Sequence, residues 1–333
     1  MTTSDDRTTS AWAPLRRTHF YVHDLFHREA ARIDIGITSR RILDYIDFAD
    51  DKGVSDGVTI QELCDLIPPR TRTQRVAKTL DRMQQRGWVR HDAERRTGPR
   101  RGRLWHLTDE GQLVRGFYKR VAEQILQDVY REASEPTTHS LLHLGERATR
   151  HRDRTLGVVL LAANPTVAGE PPRSPDWAAL RGAHFYINDL FFERAEPMGV
   201  DPTERRVLDA LGLADARGVE RGLTVTTQCK LIETPIAPQT VGSILERKAT
   251  QGWVESVAPT CGSRAATWRL TALGREIRTT YKDIAESIMR DVYQDGSDEE
   301  RAELLELAKT SETYRNLRLE PIVELALRSR DLD

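Results

Sequence analysis

The most constraining feature of this sequence is that one domain-length pattern is written twice. The segment HFYVHDLF at 19–26 returns as HFYINDLF at 184–191, and RGWV at 86–89 returns as QGWV at 251–254. Both pairs are 165 positions apart, and the offset falls to 163 by Trp105, which matches Trp268. A repeat this long corresponds to a whole fold, because solenoid units are only about 20–50 residues long.

The repeat sets the expected domain boundaries. We predict a disordered polar tail at 1–11, a first domain at 12–154, a linker at 155–176 rich in proline and glycine, and a second domain at 177–333. Two copies of one domain in a single chain are what the fusion of a homodimer would produce. We therefore expect a monomeric pseudo-dimer.

Composition narrows the class of protein. Hydrophobic residues make up 38% of the chain and charged residues 30%, and no apolar run approaches the ~18 residues of a membrane span. Three cysteines are too few for a disulfide framework and indicate a cytoplasmic protein. The sequence has no glycine-rich phosphate loop, no Ser-His-Asp arrangement and no metal-ligand spacing, so we expect neither an enzyme nor a cofactor.

Charge is distributed unequally between the two copies. Residues 12–154 carry 27 Lys and Arg against 21 Asp and Glu, whereas residues 177–333 carry 21 against 26. The segment 70–103 alone holds 12 basic and three acidic residues, and its counterpart at 235–268 holds three and two. The first copy is therefore expected to have a strongly basic face that the second copy lacks.

Apolar periodicity predicts mainly α structure with small β-hairpins, an α+β fold. In the first copy, helices are expected at 12–33, from a Thr38 cap to Gly53, in a short stretch after a Thr59 cap, and at 71–86, 109–132 and 138–152. A hairpin is expected between Gly87 and Thr108. This order predicts tandem winged helix-turn-helix domains with flanking dimerisation-type helices.

The run VAKTLDRMQQRGWVRHDAERRTGPRRGRLWHLTDEG at 76–111 resembles the recognition helix, wing and following helix of the MarR family of transcriptional regulators. The second copy keeps the same pattern as LERKATQGWV and RLTALG. Its wing, however, reads VAPTCGSRAAT and lacks counterparts of Asp92 and of the pair Arg95-Arg96. The resemblance implies a regulator of transcription that binds double-stranded DNA, most simply a repressor, and several members of the family bind aromatic acids.

The candidate DNA-binding residues follow from this frame. Arginine and glutamine on an exposed recognition helix suit guanine and adenine in the major groove, and arginines on a wing suit phosphates or a minor groove. The candidates are Arg70, Arg72, Thr73, Gln74, Arg75, Lys78, Arg82, Arg95, Arg96, Arg100, Arg101 and Arg103 in the first copy, and Gln239, Thr240, Ser243, Arg247 and Arg264 in the second. Because the two sets differ, we expect an asymmetric operator.

The first helix of each copy carries a repeated arginine and histidine. One interpretation is a pocket for an anionic effector such as an aromatic acid; its candidates are Arg16, His19, His23, Arg181, His184 and Asn188. The competing interpretation is that the histidines are buried structural residues. A metal site at His19, His23 and His27 is a third, but the second copy replaces the last two by Asn188 and Phe192.

Two other functions stay open on the sequence alone. A plasmid-type replication initiator also joins two winged helices in one chain, although its domains normally diverge more than these do. A winged-helix adaptor between proteins would not need the positive charge of residues 70–103.

Overall fold

The computed structural model describes residues 10–54, 56–67, 73–92, 102–163, 175–232, 234–258 and 265–311. Its helices are α1 (Ala13–Arg32), α2 (Ile37–Asp51), α3 (Ile60–Leu66), α4 (Thr73–Gln85), α5 (Asp109–Val129), α6 (Glu135–Ala163), α7 (Trp177–Ala195), α8 (Pro202–Ala216), α9 (Val225–Leu231), α10 (Pro238–Thr250), α11 (Ala272–Val292) and α12 (298–311). Its strands are β1 (Val89–His91), β2 (Trp105–Leu107), β3 (Val254–Val257) and β4 (Thr267–Leu270). Within this described part, no helix is long and apolar enough to cross a membrane.

Two stretches of the chain have the same order of elements. The order α2–α3–α4–β1–β2–α5 is repeated as α8–α9–α10–β3–β4–α11. Each strand pair is an antiparallel hairpin, and each second strand is also bridged to the loop before the third helix, at Val58–Trp105 and at Leu223–Trp268. Three helices followed by a hairpin is the arrangement of a winged helix-turn-helix. The prediction of a mainly α chain with small β-hairpins is confirmed.

Helix caps explain most of the boundaries. Thr59 begins α3 with a capping box to Glu62, and Asp201 begins α8 with the same motif to Glu204. The predicted Thr38 cap is wrong. Helix α2 begins earlier, because the Gly36 carbonyl already accepts a hydrogen bond from the Arg40 amide at 3.0 Å.

Helix α6 is longer than the sequence indicated. We predicted a helix at 138–152, but α6 runs from Glu135 to Ala163 and so enters the segment assigned to a linker. Packing stabilises the additional turns, since Asp153 and Leu156 are both buried. Residues 164–174 and the first nine residues of the predicted tail lie outside the described residues.

The chain forms two compact units, which we name after the helix that precedes the hairpin in each, α4 or α10. The α4 unit comprises Phe26–Glu193 and Asp291–Leu304, and the α10 unit comprises Met1–Leu25, Arg194–Arg290 and Leu305–Asp333. The α4 unit is built around a core that includes Ile42, Leu43, Ile46, Leu63, Val76, Leu80, Trp105, Tyr118 and Phe185. In the α10 unit, the buried apolar residues include Leu15, Val207, Leu208, Val241, Leu245 and Tyr281.

A glycine fixes where the helix after each hairpin can start. A β-carbon at Gly111 would lie 2.0 Å from the Trp88 carbonyl oxygen, and one at Gly274 would lie 1.9 Å from that of Trp253. Backbone therefore passes directly against backbone, which only glycine permits. This close approach sets the position of the hairpin next to α4 and next to α10.

Candidate functional site

Helix α4 is strongly two-sided. Val76, Leu80 and Met83 are at most 1% exposed and pack into the core. The opposite face is exposed and carries Thr73, Gln74, Arg75, Lys78 and Arg82. These are the residues predicted to contact DNA from this helix, and the structure brings them together on one open surface.

The cations of this face have no carboxylate partners within the described part of the chain. Arg75, Lys78 and Arg82 line a groove of about 370 Å³ whose other wall is the first turn of α2. The N-cap Gly36 offers no side chain to the free backbone amides of that turn, so the helix dipole adds to the positive potential of the groove. Such a concave basic surface suits the phosphate backbone of a nucleic acid.

Arg86 borders the same groove but has a structural role. Its guanidinium group forms an ion pair with Asp34, donates to the Asp34 carbonyl oxygen at 3.0 Å and stacks 4.9 Å from the Trp88 ring centroid. Asp34 has a φ of 53°, a left-handed conformation that these contacts hold in place. The positive charge of Arg86 is therefore largely neutralised.

Helix α10 presents a similar face with much less charge. Gln239, Thr240, Ser243 and Arg247 are exposed, as predicted from the sequence. Arg247, however, donates to the Glu204 carboxylate at 2.6 Å. The counterpart of Glu204 in the α4 unit is Ser39, which cannot neutralise Arg82 in this way.

Lys248 follows Arg247 in α10, but it is buried and does not belong to the exposed face. Its side chain is 2% exposed and its Nζ donates to the Gly199 carbonyl oxygen at 2.8 Å. The same Nζ lies 3.1 Å from Glu204 and 3.9 Å from the Trp253 ring centroid. Burial lowers the pKa of Lys248, and the hydrogen bond that its ammonium group donates to Glu204 only partly offsets this.

Seven of the predicted DNA contacts, five of them in the wings, lie in parts of the chain that the structure does not describe. Arg70, Arg72, Arg95, Arg96, Arg100, Arg101 and Arg264 lie outside the described residues. Arg103 is described and exposed at the base of the first wing. Asp92, at the other base, bonds His106 Nε2 and Arg90, both at 3.0 Å, and these contacts, led by His106, lower the pKa of its carboxyl group.

The candidate effector residues do not form one site. His19, His23, His184 and Asn188 are each at most 4% exposed and line neither of the cavities described below. His184 Nε2 lies 3.4 Å from the Tyr130 hydroxyl, and burial lowers its pKa to about 3, so the imidazole is neutral. Arg16 and Arg181 do line cavities; Arg16 bonds Glu286 at 3.0 Å and Arg181 bonds Glu123.

Each unit contains an ion cluster that sequence reasoning missed. In the α10 unit, Asp24 of α1 accepts hydrogen bonds from Arg205 and Arg206 of α8, each at 2.6 Å. In the α4 unit, Asp189 of α7 accepts from Arg40 at 3.1 Å and Arg41 at 2.8 Å of α2. The only signal in the sequence was the repetition of one aspartate and one Arg-Arg pair at the same spacing.

A cavity lies next to each of these clusters. The α4-unit cavity, of about 270 Å³, is lined by Arg40, Arg115, Lys119, Arg152 and Arg181 and by Asp44, Asp47, Asp51, Asp176 and Asp189. The α10-unit cavity, of about 300 Å³, is lined by Arg16, Arg17, Arg205, Arg206, Arg217, Arg278 and Lys282; its acidic lining residues in the described part of the chain are Asp24 and Asp209. Many lining residues of the two cavities occupy corresponding positions in the two repeats, but the balance of charge along the walls differs.

Neither cavity resembles a metal centre. Among the residues that the structure describes, no group of three or more histidine, cysteine, aspartate or glutamate side chains is arranged to hold a metal ion. His19, His23 and His27 are all buried along α1.

Comparison with known proteins gives little support of its own. No protein-family model matches the sequence, and no curated protein matches it either. Among solved structures, the chain is similar to wild-type MarR from E. coli in its apo form, with a TM-score of 0.33 and 19% identity. The alignment covers 38% of this chain and 87% of that chain. At this TM-score the likeness adds nothing to what the geometry of the chain itself supports.

Proposed function

We propose that this chain is a sequence-specific regulator of transcription that binds double-stranded DNA, with α4 as its principal recognition helix. The observation that carries the proposal is the exposed face of α4, where Arg75, Lys78 and Arg82 have no carboxylate partner among the residues that the structure describes and lie beside a basic groove. A two-sided helix in this position of a winged helix-turn-helix is the element that enters the major groove. Selection of bound fragments from the host genome tests the proposal, and failure to bind any DNA at low salt would refute it.

We further propose that the chain is a tandem duplication that works as a pseudo-dimer. Two observations support this: the elements recur in the same order, and each unit combines the first helix of one repeat with the winged helix of the other. The clusters of Asp24 and Asp189 fix these two combinations in the same way. Exchange of a terminal helix between protomers is a common way to build a homodimer. We therefore expect light scattering to give one chain per particle.

In a fused chain the two recognition helices can differ, so they need not bind the same DNA half-site. A homodimer requires a palindromic operator because its two recognition helices are identical. Here Arg75 and Lys78 of α4 stand where α10 has Thr240 and Ser243. We propose an asymmetric operator with half-site centres about one helical turn apart, of which the half beneath α4 contains guanine and binds more strongly.

We also propose that a small effector releases the protein from DNA, which would make it a repressor. The two cavities support this, since each lies between the first helix of one repeat and the first of the three helices of a winged fold, α7 with α2 and α1 with α8. A ligand there can change the arrangement of the helices only if it binds the two states with different affinity.

The neutralisation of Arg247 can be tested by giving the α10 unit the residues that the α4 unit has at two positions. The double variant Glu204→Ser with Lys248→Met installs the residues found at Ser39 and Met83. Because it removes both partners of a buried pair, we expect little loss of stability. Arg247 becomes available for a phosphate, so the slope of log affinity against log salt concentration should steepen by about 0.9. Lys248→Met alone keeps the Glu204–Arg247 pair and serves as the control. An unchanged salt slope in the double variant would show that Arg247 does not reach DNA.

A further inference from the structure

We propose that the α10-unit cavity is a binding site for a small anion with at least two negative charges, such as a phosphate ester or a di- or tricarboxylate, and that the α4-unit cavity is not. This deepens the effector part of the proposed function by naming the half of the molecule that binds and the chemistry of the ligand. It rests on the proposed function for its biological role, but the binding itself can be measured without DNA.

The first support is the charge of the cavity walls. Among the described residues, five cations and five carboxylates line the α4-unit cavity, whereas seven cations and two carboxylates line the α10-unit cavity. Acidic residues outside the cavities pair with some of these cations: Glu286 with Arg16, Glu123 with Arg181 and Asp153 with Arg152. Arg17 and Arg217 also have further interactions, but without Arg16, Arg17 and Arg217 the described walls of the α10-unit cavity still hold four cations against two carboxylates. The α10-unit cavity therefore has a large excess of positive charge in a partly desolvated space, where electrostatic attraction is strong.

The second support is how this difference arises in the sequence. At the positions of Asp47 and Asp51, the α10 unit has Gly212 and Ala216. At the position of Gly182, it has Arg17. At these positions the α10-unit cavity has two carboxylates fewer and one guanidinium group more than the α4-unit cavity. Four other charged positions carry the same kind of charge in both: Arg40, Asp44, Lys119 and Asp189 correspond to Arg205, Asp209, Lys282 and Asp24.

The third support is the state of Lys282. Its counterpart Lys119 lies 4.0 Å from the Asp47 carboxylate, but no ion pair to Lys282 occurs within the described residues. Burial is the main cause that lowers the pKa of Lys282 to about 7, and Arg278, Arg16 and Arg17 lower it further, against a smaller opposite effect of Asp209. At pH 7 the Lys282 amine is therefore partly neutral, and a bound anion would favour its charged form.

The geometry favours a compact, multiply charged ligand. A guanidinium group recognises phosphate and carboxylate oxygens through paired hydrogen bonds. Arg278 lies directly against Gly212, where a β-carbon would be 2.2 Å from the guanidinium carbon, so glycine leaves room for this group. Phe20 and Tyr21 form part of the remaining wall. A single carboxylate, as in a simple aromatic acid, would neutralise only a small part of the charge.

Calorimetry on the full chain without DNA tests the proposal. We expect pyrophosphate or citrate to bind with one equivalent per chain at constant ionic strength, and benzoate to bind at least about tenfold more weakly. Preference for pyrophosphate identifies a phosphate ligand, and preference for citrate identifies a carboxylate. At pH 7, binding should take up as much as about half a proton, because an anion raises the pKa of Lys282, and Lys282→Met should abolish this uptake.

Two matched substitutions decide which cavity is involved. Ala216→Asp and Gly212→Asp each copy the α4 unit, and each should weaken binding at least about tenfold. Ala216 is exposed at the end of α8, so that variant is expected to fold even if the other does not. Asp51→Ala, the reverse change in the α4 unit, should leave the measured affinity unchanged. The proposal is overturned if neither polyanion binds, if benzoate binds equally well, or if Asp51→Ala alone removes binding. It is also overturned if Ala216→Asp weakens DNA binding in the absence of any small anion, since these cations would then belong to the DNA interface.

Discussion

Replacing Asp189 by asparagine is expected to lower the free energy of unfolding by about 3–5 kcal/mol. The carboxylate is the shared acceptor of Arg40 and Arg41, whose side chains are 2% and 7% exposed. The substitution keeps the size of the side chain but removes the shared anion, so that Arg41 loses its carboxylate partner and Arg40 keeps only Asp44, at 3.1 Å. Arg40 also stacks 4.3 Å from the Phe185 ring centroid, so movement of its side chain would disturb the core of the α4 unit.

Urea denaturation followed by circular dichroism measures this effect. Asp24→Asn is the matched variant in the α10 unit, and a somewhat smaller loss is expected because Asp24 is 14% exposed. Asp215→Asn is the control: its partner Arg275 is 50% exposed, so the loss should stay below about 1 kcal/mol. If Asp189→Asn were no more destabilising than Asp215→Asn, the ion cluster would not be what fixes α7 in its unit.

The Asp24 cluster also predicts a dependence of stability on pH. Burial raises the pKa of Asp24, but Arg205 and Arg206 outweigh burial and hold it below its ordinary value. A carboxyl group whose pKa is depressed in the folded state contributes stability above its unfolded pKa of about 3.9, and this contribution is lost as the pH falls through the folded pKa. Asp24→Asn should therefore flatten the loss of stability below about pH 4.

Removing the three cations of α4 is expected to weaken DNA binding by about 100-fold or more. The variant Arg75→Ala, Lys78→Ala, Arg82→Ala removes contacts that are each worth about 1–3 kcal/mol at a base or one phosphate charge. If all three contact phosphates, the slope of log affinity against log salt concentration flattens by about 2.7. The residues are exposed, so stability should change by less than about 0.5 kcal/mol.

The matched variant in α10 is Thr240→Ala, Ser243→Ala, Arg247→Ala. It removes one cation that is already paired with Glu204, so the salt slope should change by at most about 0.9. Fluorescence anisotropy with one labelled fragment at four salt concentrations measures both quantities. Equal losses and equal slopes for the two triple variants would contradict the dominance of α4.

The local parts of this fold could be predicted from the sequence. The buried stripe of Val76, Leu80 and Met83 and the exposed face of α4 follow from helical periodicity alone, and both are confirmed. The caps at Thr59 and Asp201 depend on residues three positions away and were equally accessible. Periodicity and capping act over one or two helical turns, which a single sequence contains in full.

The contacts that distinguish the two halves could not be predicted in this way. Glu204 neutralises Arg247 across 43 positions, and Asp24 meets Arg205 across 181. Lys248 is adjacent in sequence to the exposed Arg247, but the fold buries it against the Trp253 ring. The charge of the α10-unit cavity depends on α1, α8 and α11 together, so single substitutions such as Asp47 against Gly212 acquire meaning only once the walls are known.

We propose above all that one chain binds two unlike half-sites and that the half-site beneath α4 is bound more strongly. Hydroxyl-radical footprinting on a selected fragment, with each half-site scrambled in turn, tests it most directly. We predict that scrambling the guanine-containing half abolishes the whole footprint, that scrambling the other half leaves the first protected, and that the α4 triple variant reproduces the first result on intact DNA. A palindromic site that is equally sensitive in both arms, and equally affected by the α4 and α10 variants, would contradict the account.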